Sequence, residues 1–155
     1  MISHIRWERV ALAAVVLVVL SMITGGIIRE CRESAEEALV RDLNAAYPAL
    51  AAQPDFIRMR AEEGLLSLTL ADGTVLQIPA DAALLGRFSR PWPDAFRLIG
   101  GWKSGDDVYF ITGGAVDDRW GYVLSGDDAI GTQGLMRLRR VLSGGGAWYF
   151  STMAE

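Results

Sequence analysis

The tetrapeptide Ser-Gly-Asp-Asp occurs twice in this chain, at Ser104–Asp107 and at Ser125–Asp128, and Asp117-Asp118 lies between the two copies. Six carboxylates within 23 residues offer the hard oxygen donors that suit Ca²⁺. Asp106, Asp107, Asp127 and Asp128 are the candidate ligands. A hairpin of residues 108–112 and 120–124 turning about Asp117-Asp118 would bring both tetrapeptides to one end of a sheet. The spaced Asp, Gly and terminal Glu of an EF-hand loop are missing, however. Gly-Asp is also ordinary turn chemistry, because glycine supplies positive φ and aspartate bonds its own backbone. The expectation is solvated turns and no metal.

Other reaction chemistries find fewer residues still. His4 is the only histidine and Cys31 the only cysteine, so no zinc-type ligand pair exists. The chain after Cys31 has no histidine to activate a serine or cysteine nucleophile. Two glycine clusters, Thr112–Gly114 and Ser143–Gly146, lack the lysine-containing pattern of a phosphate loop, and the only lysine, Lys103, stands apart from both. Carboxylates are plentiful, but no pair is singled out for acid–base work. The chain is therefore expected to be non-catalytic and to carry no cofactor. A single cysteine forms no internal disulfide, and Cys31 is expected as a free thiol.

Two features suit recognition. Arg90-Pro91-Trp92-Pro93-Asp94 holds Trp92 between prolines, which presents a large aromatic at low entropic cost. Arg137, Arg139 and Arg140 form the one dense basic cluster. Residues 33–155 hold 11 Lys and Arg against 17 Asp and Glu, a formal charge of −6. Such an acidic domain argues against nucleic acid as a partner, because phosphate binding needs a basic face.

Position in the cell is written more clearly than chemistry. Val10–Ile28 is 19 residues without a charge, and at ~1.5 Å per residue a helix of that length approaches the ~30 Å bilayer core. Trp7 and Arg9 on one side and Arg29 on the other stand where headgroup-level residues belong. The hydroxyls of Ser21 and Thr24 can bond back to the preceding turn, and Ser21 with Gly25 forms one small-xxx-small pair that allows close helix approach. Thr24–Gly26 would also serve a signal peptidase, but the run exceeds the ~7–15 residues of a signal core. A lipoprotein signal needs small residues before Cys31, where Ile28, Arg29 and Glu30 stand instead. A helix apolar on nearly every side would need a far larger protein to bury it. The expectation is a retained anchor. Arginines on the two flanks nearly balance, and a short tail before a single span usually stays in the cytoplasm, which would put the head outside. Fourteen arginines against one lysine, with abundant Ala and Gly, suit a GC-rich bacterium and its inner membrane.

The remaining elements follow from periodicity. Ser34 with Glu37 matches a capping box and opens a helix over 34–46 with Leu39, Leu43 and Tyr47 on one stripe; the alternative is a continuation of the membrane helix, from which only Arg29–Glu33 separate it, and Pro48 and Pro54 should end it. After Asp55 the period falls to two. Residues 56–60 and 65–70 read as strands, and Asp72-Gly73 reads as a two-residue hairpin turn. Residues 81–88 read as a short helix. Residues 95–102, 108–112, 120–125 and 147–152 read as further strands, and 135–142 fits either a helix or a strand. The domains are a tail (1–9), a transmembrane helix (10–28), a stem helix (29–54) and a mainly antiparallel β head (55–155) of six or seven strands. This is an α+β fold.

An apolar N-terminal helix, a helical stem and a β head together resemble the plan of type IV pilins. Pilins carry a Gly-Phe processing site and a glutamate inside the apolar helix. Here Glu8 precedes the run and no Gly-Phe occurs, so nothing of that family is carried over. The functional expectation is a non-catalytic accessory or scaffold subunit of a larger membrane assembly, such as a respiratory, photosynthetic or secretion complex. Its partners would be the lipid bilayer and other membrane-protein subunits. The alternative is a tethered extracytoplasmic module that binds or senses a ligand.

Overall fold

The computed structural model describes residues 2–91, 93–114, 118–126, 136–141 and 147–152, and it divides the chain into two compact units, Met1–Glu36 and Glu37–Glu155. The fold is α+β: a long N-terminal apolar helix followed by antiparallel sheets. Helix α1 (Ile2–Ala51) has no break at the expected start of a stem. Residues 29–33 are themselves helical, so the backbone donors that a Ser34 capping box would serve are already bonded within the helix. Pro48 does not end α1 either. It lies in the last turn, where its missing N–H removes a single bond, and the helix runs on to Ala51.

In the first unit, α1 is long and apolar enough to cross a membrane. The side chains of residues 14–32 are all exposed, and the Thr24 hydroxyl donates to the Leu20 carbonyl at 2.7 Å. A polar side chain thereby meets its own hydrogen-bonding need inside the apolar run.

In the second unit, the same helix turns amphipathic. Leu39, Leu43, Ala46 and Leu50 recur at helical spacing and are buried, with Val40 beside them. Around this stripe pack Phe56 and Met59 of β1 (Phe56–Glu62), Leu66 and Leu68 of β2 (Leu65–Leu70), and Leu84 of α2 (Ala82–Phe88). Val108 and Phe110 of β5 (Asp107–Gly114) and Tyr122 and Leu124 of β6 (Arg119–Leu124) complete the same core. The opposite face carries a second cluster, Tyr109 of β5 and Val123 of β6 with Phe150 from a later strand (Trp148–Thr152). Strand alternation sends neighbouring residues to these two clusters in turn.

Among the described residues there are eight strands in two sheets, more than the six or seven expected. One sheet has the order β1-β2-β3, with β3 at Val75–Pro79; the other runs β4-β5-β6-β8-β7, with β4 at Gly100–Ser104, β7 at Met136–Arg140 and β8 at Trp148–Thr152. The ambiguous segment is a strand, β7, because β8 supplies a partner for all five of its residues. Residues 95–99 are not strand. There Asp94 holds a turn, its carboxylate accepting from the Phe96 amide at 2.8 Å and its carbonyl from Arg97 at 3.1 Å.

Turn chemistry sets the registers. Glu63 and Gly64 both have positive φ (52° and 80°) between β1 and β2, the signature of a two-residue type I′ turn. The β2–β3 connection is longer than expected. Leu70 and Thr74 bond each other across a three-residue loop, Ala71–Gly73, with Gly73 at φ 85°, and the Asp72 carboxylate accepts from the Thr74 amide at 2.8 Å. Asp-Gly thus serves a type I turn with a glycine bulge instead of a tight turn.

One buried ion pair fixes α2 against α1. Arg87 of α2 donates from Nε (2.8 Å) and Nη2 (2.6 Å) to Asp42 Oδ2, with side-chain exposures of 7% and 15%. Removing one partner strands a charge that its surroundings cannot hydrate. Asp42→Ala is expected to lower the unfolding free energy by ~3 kcal/mol, and the double change Asp42→Ala with Arg87→Met to recover most of it. Denaturant unfolding of the detergent-solubilised chain measures both.

Candidate functional site

Where edge strand β1 lies beside edge strand β4, the head opens into a cleft of about 460 Å³. Three arginines reach it from different strands: Arg58 and Arg60 from β1 and Arg119 from β6. A β-bulge between Phe56 and Arg58 explains why one short strand presents so much outward. Phe56 and Met59 are buried, while Ile57, Arg58 and Arg60 all face solvent. Without the bulge, strict alternation would turn Ile57 inward. Ile57 is 64% exposed, and Ile99, on the opposite wall, 48%.

Glycines make the space. Gly100 and Gly101 of β4 and Gly113 and Gly114 of β5 line the cleft without side chains. At Gly113 a Cβ would collide with the Trp120 indole, so that ring lies against bare backbone. Trp102 forms a stiff wall: its ring stacks on cross-strand Tyr109 with centroids 4.4 Å apart and planes 5° apart. Thr152 fixes the base of Arg119, accepting from its amide at 2.8 Å and donating to its carbonyl at 3.3 Å. Among the described residues the guanidinium groups of Arg58, Arg60 and Arg119 have no hydrogen-bond or ion-pair partner.

A second hollow of about 440 Å³ shares Ile57, Trp102 and Arg119 and adds Asp55 and Lys103. Lys103 is buried, and its ammonium donates to Asp55 at 3.2 Å; the Gly105 amide donates to both oxygens of the same carboxylate at 3.1 Å. The Gly105 hydrogen bond first, and the Lys103 ammonium after it, hold the Asp55 carboxyl below its ordinary range. This clamp joins the entrance of β1 to the β4–β5 turn.

The candidates read from sequence fall elsewhere. Asp106 is exposed in the β4–β5 turn, and its carbonyl accepts from the Tyr47 hydroxyl at 2.8 Å. Asp107 is buried and accepts from Tyr109 at 3.4 Å. Burial first, and then the Asp107 charge, push that phenol up to about 12. Asp127, Asp128 and Trp92 lie outside the described residues, as do the side chains of Trp7 and Arg137. No group of three or more His, Cys, Asp or Glu placed to hold a metal occurs among the described residues. Ser21 and Gly25 are exposed on α1, with open space at Gly25.

Arg139 and Arg140 do not form one patch. They are consecutive in a strand and point to opposite faces, Arg139 over the Tyr149 ring (5.4 Å) and Arg140 over that of Trp148 (5.8 Å). The cleft arginines were missed because Arg119 is distant in sequence and a bulge leaves no periodic trace. The alternation of Arg58, Met59 and Arg60 was the one local signal.

No known protein family, curated protein or solved structure matches this chain.

The Asp55 clamp has a definite pH signature. Its folded-state pKa lies below the ordinary 3.8, so its stabilisation is present above that value and is lost as pH falls through the depressed one. Asp55→Asn is expected to lower unfolding free energy by ~0.5–1 kcal/mol at neutral pH, as suits a partly exposed pair. The gap between the two proteins should close as unfolding is followed down through pH 3.8.

Proposed function

We propose that this chain is a non-catalytic, single-span accessory subunit of a larger assembly in a bacterial inner membrane, with α1 retained as its anchor and the head outside the cytoplasm. The β1–β4 cleft carries this reading. Its arginines, without a side-chain partner among the described residues, stand beside exposed isoleucines and give the head a surface suited to recognition. The exposed apolar side chains of α1, among them Leu17, Met22 and Ile28, supply what a bilayer would cover. A second reading, a tethered ligand-binding or sensing module, is favoured by the cleft volume of about 460 Å³, which falls in the ~300–1,000 Å³ range of small-molecule sites.

Mild-detergent purification from native membranes is expected to bring down a stoichiometric set of other membrane proteins. A chain that purifies alone as a monomer would overturn the subunit reading in favour of the ligand-binding one. Orientation has its own assay, because Cys31 is the chain's only cysteine and is exposed just past the apolar run. A membrane-impermeant maleimide should label it in intact spheroplasts. Labelling only after lysis would place the head in the cytoplasm.

A further inference from the structure

We infer that the β1–β4 cleft binds an extended acidic segment of a partner protein, its carboxylates meeting Arg58, Arg60 and Arg119. This rests on the reading of the head as a recognition subunit and names the chemistry of what it recognises. Arg58 and Arg60 are two residues apart on one strand and both exposed, so their attachment points repeat at ~6.6 Å. Alternate side chains of an extended peptide repeat at the same distance. Carboxylates at every second position can therefore pair with both guanidiniums, a geometry that suits bidentate hydrogen bonding.

Arg119, held at its backbone by Thr152, supplies a third cation from another strand. Ile57 and Ile99 are exposed at the cleft and give the aliphatic stems of the acidic side chains apolar surface to lie against. The glycine floor lets a backbone approach closely. Charge complementarity selects an acidic partner, and the shape of the site selects a peptide over an anionic membrane surface. The cations sit in a concave cleft of about 460 Å³, which an extended chain can enter more deeply than a flat anionic bilayer can.

The test uses the full chain in dodecyl maltoside micelles and a capped, fluorescein-labelled octapeptide of alternating Glu and Val, followed by anisotropy. The expected result is saturable binding that weakens with added NaCl, with an alternating Lys-Val peptide failing to bind. Arg58→Ala, Arg60→Ala and Arg119→Ala should each weaken binding about fivefold, and the triple variant should abolish it. All three side chains are exposed and have no side-chain partner among the described residues, so unchanged thermal unfolding of the variants confirms that the fold is kept.

Equal binding of the Lys-Val peptide, or undiminished binding by the triple variant, would overturn the proposal. So would displacement of the peptide by millimolar inorganic phosphate, which would mark a simple anion site. Preferential binding to phosphatidylglycerol vesicles through the same arginines would mark a lipid surface and overturn it as well. The subunit reading is tested apart from this: a stoichiometric assembly that still co-purifies with the triple variant keeps that reading and removes the cleft from it.

Discussion

The main core of the head is built against one helical face. Leu39, Leu43, Ala46 and Leu50 form the wall on which the three-stranded sheet, the five-stranded sheet and α2 all close. Neither sheet could bury its inner face alone, since one has only three strands and small sheets need a packing partner. The helix supplies it to both. The Asp42–Arg87 pair then fixes α2 on that helix, and the Leu98 amide, donating to the Arg87 carbonyl at 3.1 Å, carries the constraint onward to the start of β4.

This arrangement places the cleft. Two sheets that share a helical support but no ladder must meet at an edge, and the edges that meet are β1 and β4. Asp55 keeps the junction closed at one end by binding Lys103 and the Gly105 amide. Along the rest of it glycines leave room. The opening is thus a product of packing, and its charge comes from strands that are far apart in sequence.

That origin explains what could be read in advance. The apolar run, the amphipathic stripe, α2 and most strands announce themselves by local period, and Asp81 caps α2 through the Ala83 amide at 2.9 Å as an N-cap aspartate should. The division into two sheets was hidden, because whether β1 bonds β4 depends on edge geometry and not on pattern. The capping sequence Ser34 to Glu37 fits a helix start and is equally at home inside a helix, so it left open whether the stem begins afresh or continues the apolar helix; Arg29–Glu33 are helical, which decides for the second. The cleft was hidden most completely. A bulge exposes Ile57, and Arg119 reaches the site only through sheet topology. The conspicuous acidic repeats, by contrast, are partly absorbed into the architecture, with Asp107 buried beside Tyr109.

The outermost strand of the five-stranded sheet has a bearing on how two copies of the head would meet. Among the described residues β7 leaves one edge without a ladder partner, and three of its five residues are arginines. An unguarded edge is a template on which a second copy can pair. Like charges lined along both edges repel when two copies approach. Arg139 and Arg140, each laid over an aromatic ring, keep that charge fixed at the rim. A strand so rich in arginine carries the kind of charge that discourages edge-to-edge pairing between two copies of a sheet.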